Sequence, residues 1–369
     1  MIEIPQPVRK YLRNISEPDR VYPKNKKVEV VFLIKTTNAI LLRTEGPEDI
    51  TLVKLPGTEY EVPMVLPEKL QAVARRRMIS HLRRFRDERT SSLRRYLITL
   101  SQLYKYTKKR KQEEVIVGFA KAKKYADKPE EWNCYIQPPG TQARDSTDVG
   151  MDGFCPACAL FGTVIDSAKM LGIYNESVGV KSRVEFDPAF AITDQEKCVA
   201  MITHNKVADG VSWTGQSLFT EYHVLPGTVL VGKVTLEDVT LPELMGFLAT
   251  LATIDRLGGR ERIFGGVRIH LIGIRGGSYE TISALELARM LAKEYGSAKI
   301  LPDAEEVEEK VWRIIENLGF HRLSSSDARV MADNMDVWDE LWKSTVEYDR
   351  QVVEKVLSLI MNEYTAVNQ

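Results

Sequence analysis

The sequence predicts an α+β fold built on an antiparallel sheet. Short β-branched strand runs come in pairs joined by tight turns, helical patterns lie between these pairs, and large irregular insertions interrupt the order. A doubly wound parallel sheet would need regular alternation of strands and helices, which this chain lacks. Its 369 residues, 44% hydrophobic and 28% charged, suit one elaborated domain or two to three small ones.

The first half of the chain predicts two strands and a long basic helix. Val28–Ile34 and Ala39–Leu42 are β-branched runs separated by Thr-Thr-Asn, which indicates a strand, a turn and a strand. Pro67 then opens a helical pattern with one apolar face. The other face of this helix is nearly all guanidinium.

The second half continues the same mixture of strands and helices. Val115–Ala120 predicts a strand, and Leu218–Leu236 predicts two strands around Pro226-Gly227. A helix is expected over Pro242–Leu257, since Pro lies near its start and Gly258 follows its end. Val267–Ile274 predicts a further strand, and the chain from Asp303 onward predicts helices.

Charge is distributed unevenly although the formal net charge is zero. Between Lys69 and Lys124 there are 18 basic and 4 acidic residues, whereas from Leu301 to the end there are 15 acidic and 7 basic residues. Such asymmetry is typical of a nucleic-acid binder whose basic region is balanced elsewhere. The alternatives are that both segments are solvated helix faces, or that the acidic tail packs against a neighbouring copy. The chain has no apolar run of membrane-spanning length and no signal-peptide pattern, so the expected localisation is cytoplasmic.

All four cysteines lie within 65 residues of the chain. Cys155 and Cys158 form a Cys-Pro-Ala-Cys turn, with Cys134 before it and Cys198 after it. Such a turn directs two thiolates to one side of a metal, and two further soft ligands complete the tetrahedron that zinc prefers. The sequence therefore predicts a structural zinc site, with His204 as the alternative to Cys198 for the fourth ligand.

Other readings of the cysteines remain open. A redox pair would need a thioredoxin-like strand and helix context, and disulfides are expected in a cytoplasmic chain only from a hyperthermophile. Cys198 begins the apolar run Cys-Val-Ala-Met-Ile, which is also typical of a core residue. A zinc deaminase would need a His-x-Glu motif, which the sequence lacks.

A glycine-rich loop predicts contact with a polynucleotide backbone. Nucleotide-cofactor loops run from a strand into a helix, so that the helix N-terminus faces the phosphate. This loop instead leaves a helix and enters a strand. Glycines let the backbone approach a phosphate closely, and arginines neutralise its charge. The alternative is a helix C-cap followed by a strand bulge. The residues concerned are Gly258, Gly259, Arg260, Arg262, Gly265, Gly266 and Arg268.

Four segments together resemble a known protein family. They are Cys158-Ala-Leu-Phe-Gly162, Ser182-Arg-Val-Glu-Phe-Asp-Pro-Ala-Phe190, Glu221-Tyr-His-Val-Leu-Pro-Gly-Thr228 and the loop from Gly258 to Gly266. Their order is similar to that in the repeat-associated superfamily of CRISPR-associated proteins, in particular the seventh family of backbone subunits. The cysteine insertion, the arginine helix and the helical tail make the subtype I-D version the nearest match.

The resemblance implies an RNA-recognition-motif-like, ferredoxin-like core interrupted by insertions. The core is expected over residues 20–60, 176–202 and 218–300. The insertions are a basic helical or lid region over 61–125, a zinc-binding region over 126–175 and a thumb hairpin over 203–219, and residues 301–369 form an acidic helical region. Gly210, Trp213 and Gly215 would shape the thumb.

The implied function is sequence-independent binding of single-stranded guide RNA as the backbone subunit of a type I-D CRISPR interference complex. Phosphates would be neutralised by basic residues of the loop, the helix and the segment beside the thumb. Implied partners are guide RNA, target nucleic acid that pairs with it, other complex subunits and copies of the same chain. Besides the loop residues above, the expected RNA contacts are Lys69, Arg76, Arg77, Lys181 and Arg183.

Two rival functions belong to other classes. A metal-dependent endoribonuclease would use a loop aspartate, for which Asp49 is the nearest candidate, but the surrounding residues align poorly. The five histidines show no spacing typical of a general acid-base pair, so the chain is expected not to be an enzyme. A zinc-stabilised protein interaction module would bind no RNA even at low salt.

Overall fold

The computed structural model describes residues 2–42, 50–108, 113–136, 151–165, 170–171, 178–205, 218–259 and 264–366. Among these residues, no helix is both long enough and apolar enough to cross a membrane.

Strands and helices follow one another in the mixed order that the sequence predicts. The strands are β1 (Lys27–Thr36), β2 (Leu52–Lys54), β3 (Glu61–Val65), β4 (Tyr104–Lys108), β5 (Glu113–Phe119), β6 (Thr163–Ile165), β7 (Met170–Leu171), β8 (Val178–Val180), β9 (Val184–Phe186), β10 (Ala189–Ala191), β11 (Val199–Asn205), β12 (Leu218–Val224), β13 (Val229–Glu237), β14 (Val267–Gly277) and β15 (His321–Arg322). The helices are α1 (Gln6–Arg9), α2 (Pro67–Glu88), α3 (Thr90–Ser101), α4 (Ala120–Asp127), α5 (Pro156–Phe161), α6 (Gln195–Cys198), α7 (Leu241–Ala252), α8 (Ala284–Tyr295), α9 (Ala304–Ile315), α10 (Ser325–Asp333) and α11 (Met335–Ala366).

The central sheet has the order β15-β14-β1-β13-β10-β3-β2, and β9 also pairs with β13. β1 lies between β14 and β13 and pairs antiparallel with both over almost its whole length. Helix α2 precedes β9 in the chain, with inserted elements between them, and α7 joins β13 to β14. This connection and strand order match the ferredoxin-like β-α-β-β-α-β motif. The expected α+β class with an RNA-recognition-motif-like core is confirmed.

The two ends of the sheet carry different elements. We call the end that adjoins the β11–β12 hairpin the hairpin end, and the opposite end the far end. The hairpin end holds Thr36, Val229 and Val267, and the far end holds Lys27, Glu237 and Gly277. The nine residues of β13 separate these ends by roughly 27 Å at the usual rise of a strand.

Helices cover both faces of the sheet. On one face, the Ala284 amide at the start of α8 donates to Asp187 at 2.8 Å, and Glu308 of α9 lies 3.4 Å from His270 of β14. On the other face α7 lies so close to α11 that a Cβ at Gly246 would come within 2.7 Å of Leu341. Every residue of β13 except Glu237 is consequently buried.

Two predicted elements have different bounds in the structure. The helix expected over Pro242–Leu257 ends at Ala252, because the Thr253 amide and hydroxyl both bond back to carbonyls of the last turn. The second strand expected at Ala39–Leu42 forms only isolated bridges, of Ile40 with Val224 and of Leu41 with Gly259. This segment lies between two different partners, and it pairs with each of them at a single residue.

The basic and acidic regions contact each other within one chain. Arg84 of α2 bonds Asp333 at 2.5 Å, and Arg89 lies 3.3 Å from Asp336 at the start of α11. These contacts connect the arginine-rich helix with the acidic C-terminal helices. Part of the charge asymmetry in the sequence is therefore resolved inside the molecule.

Candidate nucleic-acid interface and metal centre

Three cysteines and one aspartate form a buried cluster. Cys155 and Cys158 lie at the start of α5, Asp152 lies just before it, and Cys134 follows the 3-10 turn Pro129–Glu131. One ligand atom from each residue lies within 4.8 Å of the others, and all four residues are buried. The cluster could hold a metal ion.

The spacing of the thiols fits a metal better than a disulfide. All four cysteines of the chain are free, and Sγ of Cys134 lies 3.8 Å from Sγ of Cys158. Two thiolates bound to a tetrahedral zinc at about 2.3 Å stand about 3.8 Å apart, whereas disulfide sulfurs are bonded at about 2 Å. With four protein donors the cluster has the composition of a closed, structural site.

Asp152 is fixed in the cluster by hydrogen bonds to both carboxylate oxygens. Its Oδ1 accepts from the amides of Phe154 at 3.1 Å and Cys155 at 3.0 Å, and its Oδ2 accepts from the Trp132 indole at 2.9 Å. Burial, followed by the Cys158 charge, raises the pKa of Asp152 to about 7. A carboxylate has about four lone-pair sites, so one of them stays available for a metal.

Cys198 does not join the cluster, and its assignment as a zinc ligand is corrected. It ends α6 next to the hairpin, and its Sγ lies 3.3 Å from the Thr193 carbonyl. Burial raises its pKa to about 12, which keeps the thiol protonated. Cys198 is thus the core residue that its apolar context allowed, and Asp152 provides the fourth donor. The side chain of His204 lies outside the described residues.

The glycines of the loop allow close backbone packing. Gly258 and Gly265 have φ angles of 96° and 84°, a region that L side chains rarely adopt. A Cβ at Gly265 would come within 2.2 Å of the Leu257 carbonyl oxygen, and one at Gly258 within 2.7 Å of the Leu41 carbonyl oxygen. These glycines therefore let the loop pack closely against the backbone of its own chain.

The loop and the hairpin meet on the two sides of the segment Ala39–Leu41. Gly265 N donates to the Ala39 carbonyl at 2.7 Å, and Gly259 N donates to the Leu41 carbonyl at 2.9 Å. Ile40 exchanges two backbone hydrogen bonds of 2.9 Å with Val224, the last residue of β12. The amides of Gly259 and Gly265 are consequently occupied, so phosphate contact would fall to side chains and to other backbone groups.

Exposed cations lie at this hairpin end. Arg268 on β14 is exposed and, within the described part of the chain, has no ion-pair partner. Arg256 is also exposed, and its Nη1 donates to the Phe264 carbonyl at 3.3 Å. Burial, and then the positive charge of Arg268, lower the pKa of Arg329. Arg260 and Arg262 lie outside the described residues.

The cations of α2 differ in their availability. Arg76 is exposed, Lys69 is half-buried, and Arg77 pairs with Asp255 at the entrance of the glycine-rich loop. Burial lowers the pKa of Lys69. Several other arginines of the helix bind within the molecule, as Arg83 does with the Cys134 carbonyl at 2.8 Å.

The placement of Lys181 and Arg183 beside the hairpin was wrong. Lys181 is exposed but bonds Glu237, which lies at the far end of the sheet. Arg183 is buried and makes hydrogen bonds of 3.0 and 2.8 Å to the two oxygens of Glu243. The Glu243 carboxylate also accepts from Arg20 at 2.5 Å. Arg183 is thus part of a buried ion network and cannot neutralise a phosphate.

Sequence reasoning missed Asp152 and Glu243. Asp152 stands in Asp-Gly-Phe-Cys, where an aspartate just before a Cys-x-x-Cys turn was a usable signal. Glu243 is the third residue of α7 and forms a capping box with Thr240. Its link to Arg20 and Arg183, which are distant in sequence, has no local signal.

The profile of the Csc2 CRISPR family matches residues 9–356. The chain belongs to this family. The crystal structure of Thermofilum pendens Csc2 is similar over 95% of each chain, with 35% sequence identity and a TM-score of 0.70. This Csc2 relative confirms the family resemblance that the four sequence segments indicate.

Two further solved structures resemble the chain more distantly. A chain of a Type IV-B CRISPR complex shares 13% identity over 66% of this chain and 90% of that one, with a TM-score of 0.35. A chain of a CRISPR RNA-guided surveillance complex in a pre-nicking state shares 14% identity over 80% and 90%, with a TM-score of 0.42. Similarity this low carries no argument about function. No protein with a curated description matches the chain.

Proposed function

We propose that this Csc2-family chain binds single-stranded guide RNA without sequence preference, as a backbone subunit of a type I-D CRISPR interference complex. The observation that carries the proposal is the joining of the hairpin and the glycine-rich loop across Ala39–Leu41. The exposed Arg256 and Arg268 lie beside this junction. Two elements suited to a nucleic-acid backbone thus form one surface.

Binding is to phosphates and riboses. A subunit that accepts any guide sequence gains affinity from neutralised phosphates, and sequence reading is left to base pairing with the target. RNA-recognition motifs stack bases on an exposed sheet face, but here α8 and α9 cover that face. The RNA therefore runs across the hairpin end, where other subunits and copies of this chain adjoin it along the guide.

The metal centre is proposed to hold structural zinc. Cys134, Asp152, Cys155 and Cys158 would bind the ion, whose coordination energy stabilises the fold of the surrounding segment. Arg83 and Arg86 of α2 hold this segment by donating to the carbonyls of Cys134 and Trp132, each at 2.8 Å. Zinc binding thus stabilises the segment around the cluster, against which α2 packs.

The chain is proposed to act without cleaving RNA. Three histidines in the described part of the chain are held by packing: His81 bonds Thr253 and stacks on Trp338, and His223 is fully buried. His270 lies under α9 beside Glu308. Asp49, the candidate of the endoribonuclease reading, lies outside the described residues.

A titration with fluorescent single-stranded RNA and with a matched duplex, over a series of salt concentrations, tests this function. We expect preference for the single strand, an affinity that falls steeply with salt, and an intact probe. The triple variant Arg260→Ala, Arg262→Ala and Arg268→Ala should lose most of the affinity.

Two results would contradict the proposal. Absence of RNA binding at low salt would favour the zinc-stabilised interaction module. Metal-dependent shortening of the probe, removed by Asp49→Ala, would favour the endoribonuclease.

A further inference from the structure

Arg75 lies between helix α2 and the metal cluster. Its Nη2 is 3.4 Å from Sγ of Cys158, and its Nη1 donates to the Gly162 carbonyl at 2.9 Å. The guanidinium thus contacts a ligand atom of the cluster and the residue that ends α5. Its half-buried position keeps it partly away from water.

The geometry around Gly162 fixes this contact. Gly162 has a φ of 78°, and a Cβ there would come within 2.6 Å of the Val180 carbonyl oxygen. The carbonyl that binds Arg75 therefore belongs to a residue packed tightly against the neighbouring backbone from Val180 to Ser182. Arg75 Nε is buried without a hydrogen-bond partner among the described residues, a cost that this position bears while Nη2 reaches Cys158 and Nη1 reaches the Gly162 carbonyl.

The negative charge of the metal cluster explains why a cation lies beside it. Three thiolates and one carboxylate around a divalent ion leave an excess of negative charge inside the protein. Buried charge is costly unless it is paired and hydrogen-bonded.

We propose that Arg75 is the charge partner of the metal centre: its guanidinium offsets the negative charge at Cys158 and positions that ligand against α2. The inference rests on the metal centre of the proposed function. Arg83 bonds the Asn133 side chain and the Cys134 carbonyl, and Arg86 bonds the Trp132 carbonyl and its neighbour Asp87, so these contacts hold the position of the segment through groups other than a thiol. Arg75 is a positioning residue that tunes affinity for the metal.

The test compares the metal affinity of the full chain with that of Arg75→Gln and Arg75→Lys, by zinc competition against a chelator and by Co²⁺ absorption. Arg95→Gln is the control, because Arg95 is exposed on α3 and bonds Ser92 of the same helix. We expect Arg75→Gln to bind zinc roughly 10- to 100-fold more weakly. Arg75→Lys should lie between it and the wild type, and Arg95→Gln should match the wild type.

The Co²⁺ spectrum distinguishes a loss of charge compensation from unfolding of the segment that carries the metal ligands. At saturating metal, Arg75→Gln should keep the wild-type thiolate-to-cobalt bands, because the ligand set is unchanged. Unaltered zinc affinity in Arg75→Gln, or equal losses in Arg75→Gln and Arg75→Lys, would overturn the role of Arg75 while leaving the metal centre in place. A wild-type chain that binds neither metal would overturn the metal centre itself.

Discussion

Helix α2 and the hairpin end of the sheet are both rich in arginine, but they use it differently. In α2, Arg75 and Arg83 bond residues of the metal cluster, and Arg84 bonds Asp333 of the C-terminal region. At the hairpin end, Arg268 is exposed without an ion-pair partner among the described residues, and Arg256 is exposed with a long carbonyl contact of 3.3 Å. The helix thus uses much of its positive charge for internal contacts, while the strand end keeps its charge accessible.

This difference separates charge content from charge availability. A guanidinium that already bonds a carboxylate or carbonyl gains little from a phosphate, since it would first have to break that contact. A cation without such a partner gains the whole interaction and releases counterions. The basic composition of residues 69–124 therefore says less about RNA binding than the few exposed cations of the hairpin end do.

The largest expected effect concerns a buried arginine whose charge is used for an internal contact, as in α2. Arg183→Met removes a partner of the buried Glu243, and breaking a buried ion pair costs about 3–5 kcal/mol. Arg20 still neutralises the carboxylate, so we expect about 3 kcal/mol. Urea unfolding of the RNA-free chain measures the loss, and RNA affinity per folded molecule should not change.

Lys181→Met is the matched control, since it removes an exposed cation two residues away. Its free energy of unfolding should change by about 0.5 kcal/mol or less. A stability of Arg183→Met equal to that of this control would show that the buried ion network contributes nothing.

A smaller effect depends on pH at the contact between α2 and α7. Burial, and then the charges of Arg77 and Arg84, lower the pKa of His81 from 6.5 to about 4. Because the folded state resists protonation, the contribution of His81 to stability is complete above pH 6.5 and is lost as the pH falls toward 4. Between pH 7 and pH 4.5 the loss is about 2.5 kcal/mol.

His81→Gln, which cannot titrate, isolates this contribution. Urea unfolding at the two pH values should show wild type losing about 2.5 kcal/mol more than the variant. Parallel losses in both proteins would mean that His81 titrates normally when folded.

The smallest effect is expected for an exposed pair of α2. Arg84→Ala removes the surface contacts with Glu88 and Asp333, and such exposed pairs often contribute nothing measurable. The midpoint of urea unfolding should therefore not shift resolvably. A clear shift would show that the acidic C-terminal helices depend on this pair.

The fold could be predicted where local patterns determine it. The continuous β-branched and aromatic run in β1, and the proline at the start of α2, identify these elements from sequence alone. The end of α7 could not be predicted, because it depends on Thr253 bonding back to the last turn rather than on the glycine that follows later.

The site was predicted in part for the same reason. The Cys-x-x-Cys turn is local, so Cys155 and Cys158 could be assigned together, and Cys134 met them as expected. Cys198 was misassigned because soft residues close in sequence need not be close in space. The positions of Lys181 and Arg183 failed similarly, since nothing local distinguishes the two ends of an antiparallel strand.

The salt dependence of single-stranded RNA binding tests the central claim most directly, when wild type is compared with Arg268→Ala and Arg84→Ala. We expect Arg268→Ala to bind several-fold more weakly and to reduce the slope of log affinity against log salt by about 0.7, the value for one lost phosphate contact. Arg84→Ala should superimpose on the wild type. Equal losses in both variants, or an unchanged Arg268→Ala, would contradict the account.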